Sequence, residues 1–198
     1  MTTALEQQPT NKPSRQSIDT LVALYNTGDL YRLIEDAKAL LDVYPDTFVV
    51  WNILGAAAAQ IGNEALAESA FEKTIEIEPG FADGHNNLGN ILLQQQKCEQ
   101  AVSAFQQAIK RQPDNSNTLN NLALALLQSD KPSEALPVLQ SALNINPDCA
   151  TSFLYLGDVY TKLNQSALAI QAFEHATAID HKMANAFKSI GRMLCQQG

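Results

Sequence analysis

The chain is 198 residues long, 45% hydrophobic and 17% charged, with 13 basic against 21 acidic side chains for a formal charge of −8. That balance argues against a nucleic-acid or anionic-membrane surface, since both need a basic patch. No apolar run is long enough for a membrane helix, and the opening MTTALEQQPTNKPS lacks the apolar segment of a signal peptide.

Residues 1–13, rich in Gln, Thr, Pro and Lys, read as a disordered tail. From Ser14 onward the chain repeats itself every 34 residues. A degenerate first copy, 14–47, sets Leu21, Leu24, Leu33, Ala37 and Leu40 at helical spacing and closes on Pro45. Its Asn26-Thr27-Gly28-Asp29 predicts a helix end, a left-handed Gly cap and a new N-cap. The second copy, 48–81, carries Trp51, Leu54, Gly55, Ala67, Phe71 and Pro79, with Gly62-Asn63 at its turn. The third, 82–115, carries Leu88, Gly89, Leu92, Ala101, Phe105, Ala108 and Pro113. The fourth, 116–149, places Leu122, Ala123, Leu126, Ala135, Leu139, Ala142 and Pro147 in the same register. The fifth, 150–183, has Phe153, Leu156, Gly157, Tyr160, Ala169, Phe173 and Ala176.

Where the first copies have Gly28 and Gly62, the later ones have Gln96, Asp130 and Asn164, of which Asn and Asp tolerate a left-handed backbone best. Pro132 falls in a first helical turn, where a missing N–H costs nothing, whereas Pro137 falls further in and predicts a local kink. The fifth copy ends in Asp180-His181 instead of a proline, so its turn is expected to be less rigid. The stretch 184–198 is a first helix alone, with Phe187, Ile190, Gly191 and Leu194 in register and Gly198 at the turn position. A helix bearing Ile190, Met193 and Leu194 is a poor terminal cap. It implies either homo-oligomer formation through this helix or a chain cut from a longer protein, and the cut is the preferred reading.

This period, in this residue pattern, resembles the tetratricopeptide repeat. The resemblance implies an all-α fold: a right-handed superhelical α-solenoid of about five helix-turn-helix repeats plus a terminal helix. With about 100° per helical residue, and copies numbered from Phe48, Ala82, Ser116, Ala150 and Ala184, positions 4, 7, 8 and 11 form the packing face. Gly or Ala at position 8 lets the paired helix approach closely. Positions 2, 5, 6, 9 and 13 point the other way, which in the implied fold lines an inner groove. Its candidate binding residues are Asn52 in the second copy, Asn86, Asn87 and Asn90 in the third, and Asn117, Asn120 and Asn121 in the fourth. Tyr155 and Asp158 follow in the fifth, then Lys188 and Arg192 in the last. The groove is thus an amide field flanked by an apolar end and a mixed-charge end.

Asparagine offers a donor and an acceptor together, so Asn87 and Asn121 suit the backbone of an extended peptide. The segments HNNLGN and LNNLAL are similar to the asparagine ladder of protein O-linked N-acetylglucosamine transferases, which Ile53 and Tyr155 interrupt. Asn86, Asn90 and Asn121 also fit the carboxylate clamp of chaperone-tail receptors of this family. Thr151 and Tyr155, however, stand where that clamp needs two cations, and the chaperone-tail reading is rejected.

Catalytic chemistry is absent from the pattern. His85, His175 and His181 lie in separate copies with no ligand spacing, and His85 replaces an aromatic on a packing face, which predicts a partly buried, hydrogen-bonded imidazole. Gly80, Gly84 and Gly89 follow the repeat and make no phosphate loop. Cys98, Cys149 and Cys195 form no CxxC pair and read as inert thiols in a reducing cytoplasm. The expectation is a cytoplasmic, non-enzymatic scaffold without cofactor or metal that takes a protein or peptide partner in its groove. An alternative comes from LYNTGDLYRLIEDAKALLDVYPDTFVVWNILGA, which is similar to the start of bacterial proteins joining such repeats to a glycosyltransferase or sulfotransferase domain. That likeness implies the substrate-recruiting N-terminal region of a larger transferase.

Overall fold

A computed structural model describes residues 12–197, and their side chains through Arg192. The expected tail over 1–11, Gly198, and the side chains of Met193, Leu194 and Cys195 lie outside the described residues. Among those described, the chain is all α-helical: α1 (Arg15–Thr27), α2 (Leu30–Val43), α3 (Phe48–Gln60), α4 (Glu64–Ile77), α5 (Ala82–Gln94), α6 (Cys98–Arg111), α7 (Ser116–Gln128), α8 (Pro132–Ile145), α9 (Ala150–Lys162), α10 (Ser166–Ile179) and α11 (Ala184–Gln197). Two compact units divide between Ile91 and Leu92, inside α5.

In the first unit α1 packs on α2, α2 on α3 and α3 on α4, while α1 also reaches α3. Leu21, Leu33, Ile34, Ala37, Leu41, Val50, Leu54, Ala57 and Ala70 form its buried core, with Trp51, Ile53 and Leu66 packed against it. In the second unit each helix from α6 to α11 packs on the next, and α7 also reaches α9. Phe105, Leu122, Leu126, Leu139, Val159 and Phe173 are buried there, and Ala169, Phe173, Ala176 and Ala186 join α11 to α10. Fully burying one Leu or Phe side chain is worth about 1.5–3 kcal/mol, so the apolar stripes suffice to hold short helices together. Leu88 and Leu122, the markers of the repeat register, are 8% and 5% exposed.

The turns inside the copies share one construction. Gly28 and Gly62 have φ of 80° and 77°, and Gln96, Asp130 and Asn164 follow at 62°, 57° and 59°. The residue after each returns its N–H to the carbonyl five residues back: Asp29 to Leu24, Asn63 to Ala58, Lys97 to Leu92, Lys131 to Leu126 and Gln165 to Tyr160. This closes the helix end and reverses the chain in two residues. Asn63 caps α4 by accepting from the Leu66 N–H at 3.2 Å. Asp29, expected to do the same for α2, makes no such side-chain bond. Asn115, which the repeat pattern does not single out, caps α7 through the N–H groups of Asn117 and Thr118.

Helix α8 runs unbroken from Pro132 to Ile145 with Pro137 inside it. The carbonyl that Pro137 cannot satisfy belongs to Ser133, an exposed residue of the first turn where water can replace the lost donor. After α10, Asp180 accepts from the Lys182 N–H at 2.9 Å. That bond makes an Asx-type turn where the other copies have a proline.

Position 8 behaves as the register requires. A Cβ added to Gly55 would lie 2.6 Å from Cε1 of Phe71, and one on Gly157 would strike the ring of Phe173 in the same way. Both rings are buried, so neither can retreat. Gly55→Val should therefore lower stability by about 1–3 kcal/mol through overpacking. Gln96→Gly should raise it by about 1 kcal/mol, because glycine relieves the left-handed strain. Urea midpoints followed by circular dichroism check both.

Candidate binding surfaces

In the first unit, the face expected to line a groove carries a cavity of about 220 Å³ bounded by Val22, Tyr25, Asn52, Ile53 and Ala56. Asn52, Ile53 and Ala56 are positions 5, 6 and 9 of α3. Val22 and Tyr25 come from α1, are 42% and 38% exposed, and were not read from the degenerate first copy. Counting from Ser14 puts Val22 at position 9, so the signal was present. The Nδ2 of Asn87 donates to the Oδ1 of Asn52 at 3.1 Å, joining two copies across 35 residues. Each amide still has its other half to offer a guest. Asn86 and Asn90 are half-buried on the same helix as Asn87.

In the second and third copies a polar ring at position 4 holds the turn before the first helix. Trp51 Nε1–H donates to the Pro45 carbonyl at 2.7 Å. His85, 7% exposed, sits 3.1 Å by its Nε2 from the Pro79 carbonyl, and since a carbonyl only accepts, Nε2 carries the proton. The imidazole is structural, as its place in the repeat predicts.

In the second unit, Leu124, Leu127, Gln128, Asp158, Thr161, Lys162 and Arg192 bound a cavity of about 450 Å³. Burial raises the pKa of Asp158, and the Arg192 guanidinium partly offsets this. The Lys162 ammonium is held by Asp130 at 2.7 Å. Tyr155 is half-buried, its phenol pushed up by burial and then by Asp158 and Cys149. Asn117 and Lys188 are exposed and Asn121 is half-buried, none of them at the cavity wall. Asp158 and Arg192 are thus brought together at the cavity, whose wall includes neither Tyr155 nor Lys188.

Asn120 is a correction. It is 4% exposed, accepts from the Ser152 hydroxyl at 2.7 Å and donates to Cys149 Sγ at 3.4 Å. Position 5 lies at the edge between the groove and the next copy's first helix, and here the side chain turns into the joint between α7 and α9. The same contact reaches Cys149. Burial alone would push its thiol up, but hydrogen bonds from Ser152, Asn120 and the Ser152 and Thr151 backbone bring it below the usual value. Among the described residues, no three His, Cys, Asp or Glu side chains converge as a metal would need. No described helix is long and apolar enough to cross a membrane.

Asn120→Ala should cost about 1–3 kcal/mol by leaving the fully buried Ser152 hydroxyl without its acceptor, and adding Ser152→Ala should recover part of the loss. A double-mutant cycle of urea midpoints measures the coupling. Asp158 predicts a pH effect. Its folded-state pKa lies above the ordinary 3.8, so the folded chain holds that proton more tightly than the unfolded one. Stability then falls as pH rises through the window between the two values. Asp158→Asn should resist urea better than the parent at neutral pH, with the difference closing as pH drops below 3.8.

Models of the tetratricopeptide repeat match residues 49–81, 86–148 and 120–183, together more than half of the chain. YrrB, described as a TPR protein with an unusual peptide-binding site, is 17% identical with a TM-score of 0.79, over 91% of this chain and 93% of YrrB. A structure of MamA is 19% identical with a TM-score of 0.77, over 86% of this chain and 93% of that one. MamA from Desulfovibrio magneticus RS-1 is 15% identical with a TM-score of 0.78, over 86% and 96%. At these identities the likeness shows the fold, an all-α solenoid of helix-turn-helix repeats. A peroxisomal targeting signal receptor of Candida albicans is 30% identical over 83 residues, 39% of this chain and only 14% of the receptor's length. The chain belongs to the tetratricopeptide repeat family.

Proposed function

We propose that this chain is a non-enzymatic interaction scaffold that holds an extended peptide or a partner helix against the groove-side face of its first helices. The observation that carries the reading is in the first unit. There the Asn52–Asn87 amide pair borders a small apolar cavity walled by Val22, Tyr25 and Ile53. At about 220 Å³ the cavity falls below the usual range for small-molecule and cofactor sites, about 300–1,000 Å³. It suits one apolar side chain of a peptide whose backbone meets the amides. The description of YrrB as having a peptide-binding site, and the match to a peroxisomal targeting signal receptor, support a peptide or protein partner. The Asp158–Arg192 surface of the second unit offers a polar contact of the same kind. Net hydrogen bonds of about 0.5–1.5 kcal/mol each imply weak, sequence-tolerant recognition.

Panning a displayed peptide library against the whole chain tests this. Selected peptides should carry an apolar residue, and Asn52→Ala with Asn87→Ala should raise their Kd about tenfold, equivalent to one or two such bonds. Selected peptides that bind the double variant as tightly as the parent would remove this face from the account.

A further inference from the structure

Position 9 of the first helices changes character through the second unit, from Leu124 in α7 to Asp158 in α9 and Arg192 in α11. All three border the cavity of about 450 Å³, beside Leu127, Thr161 and Lys162. Asp158 is half-buried there, and among the described residues it makes no hydrogen bond or ion pair. Its neighbours on α9 have spent what they could give it. The Lys162 ammonium is held by Asp130 at 2.7 Å. The Thr161 hydroxyl donates to the Gly157 carbonyl at 2.8 Å, so only its lone pairs remain. Arg192 acts on the carboxyl through space without bonding it, and burial outweighs that attraction. The wall thus sets acceptors beside two leucines. A carboxylate that costs the fold stability and serves no contact inside it marks a place that a ligand completes.

We infer that this cavity takes an arginine or lysine side chain of an extended peptide, its cationic head on Asp158 and Thr161 and its methylene stem along Leu124 and Leu127. The inference rests on the peptide-scaffold reading and names the residue that the second unit selects. Arginine fits best, because its paired N–H groups match the two oxygens of a carboxylate and its stem tolerates apolar walls. The charge of −8 on the whole chain draws a basic guest toward it. An acidic guest on Arg192 would instead lie beside Asp158, a like charge with no partner of its own. Charge therefore favours the base.

Two probes separate this inference from the reading beneath it. The first is N-acetyl-arginine methylamide, titrated into the whole chain with its leucine methyl groups labelled for NMR. The citrulline analogue, of the same shape without the charge, is the control. The arginine compound should shift the Leu124 and Leu127 methyls saturably. Binding should fall about tenfold with citrulline, and again about tenfold in Asp158→Asn, a variant expected to resist urea better than the parent at neutral pH. Arg192→Gln should tighten it about two- to threefold by removing a competing cation. No shift at either leucine, or shifts that citrulline reproduces, would overturn the inference. So would loss of binding in Arg192→Gln, which would make the cavity a carboxylate site. The second probe is a displayed peptide library, panned separately against the parent, Asp158→Asn, and Asn52→Ala with Asn87→Ala. Peptides lost only on Asp158→Asn should carry Arg or Lys. Peptides that need Asn52 and Asn87 but ignore Asp158 would overturn this inference and leave the scaffold reading standing. A shift by the arginine compound with no peptide selected would overturn both, since the ligand would then be a free guanidinium.

Discussion

Two helix pairs in this molecule meet with a glycine against a phenylalanine ring and no room for a side chain between them. Phe71 and Phe173 occupy the volume that a side chain on Gly55 or Gly157 would need, and both rings are buried. Packing at that density has no slack, because the interior transmits rather than absorbs a misplaced methyl group. Helices of thirteen or fourteen residues are marginal on their own in water. Their persistence depends on packing between helices. The fourth copy has Ala123 and Leu139 at the equivalent positions, both fully buried.

Once the paired helices are fixed at this distance, the remaining faces of the first helices are decided by geometry. Positions close to the neighbouring copy become joints, and those further round remain available. Asn52 and Asn120 share position 5 and show the two outcomes. Asn52 meets Asn87 at a half-buried surface, next to an apolar cavity. Asn120 meets Ser152 inside the protein. A polar group so enclosed serves the joint, since its partner would be costly to leave unpaired.

Most of the fold was legible because phase, residue size and period agree over successive copies. The left-handed turns at Gly28 and Gly62, the helix-entry Pro132 and the packed His85 follow from local chemistry that a sequence displays. What escaped depends on the contact between copies. Asn120 and Asn121 carry the same side chain at adjacent positions, and Ser152, 32 residues away, holds Asn120 inward. Val22 and Tyr25 escaped for another reason: the first copy lacks the Gly and Phe that anchor the numbering. The hydrogen bond on Cys149 from Asn120 escaped too, because it comes from a helix that lies 29 residues away in the chain.

The bond from Trp51 to the Pro45 carbonyl has a practical side. The chain contains one tryptophan, and it sits in the first unit with its indole packed on that unit's core. Its intrinsic emission therefore reports on the first unit alone, whereas far-ultraviolet ellipticity sums every helix. Repeat arrays need not melt as a single cooperative block. The interval between the two signals on denaturation is a built-in measure of how independently the two ends of this chain come apart.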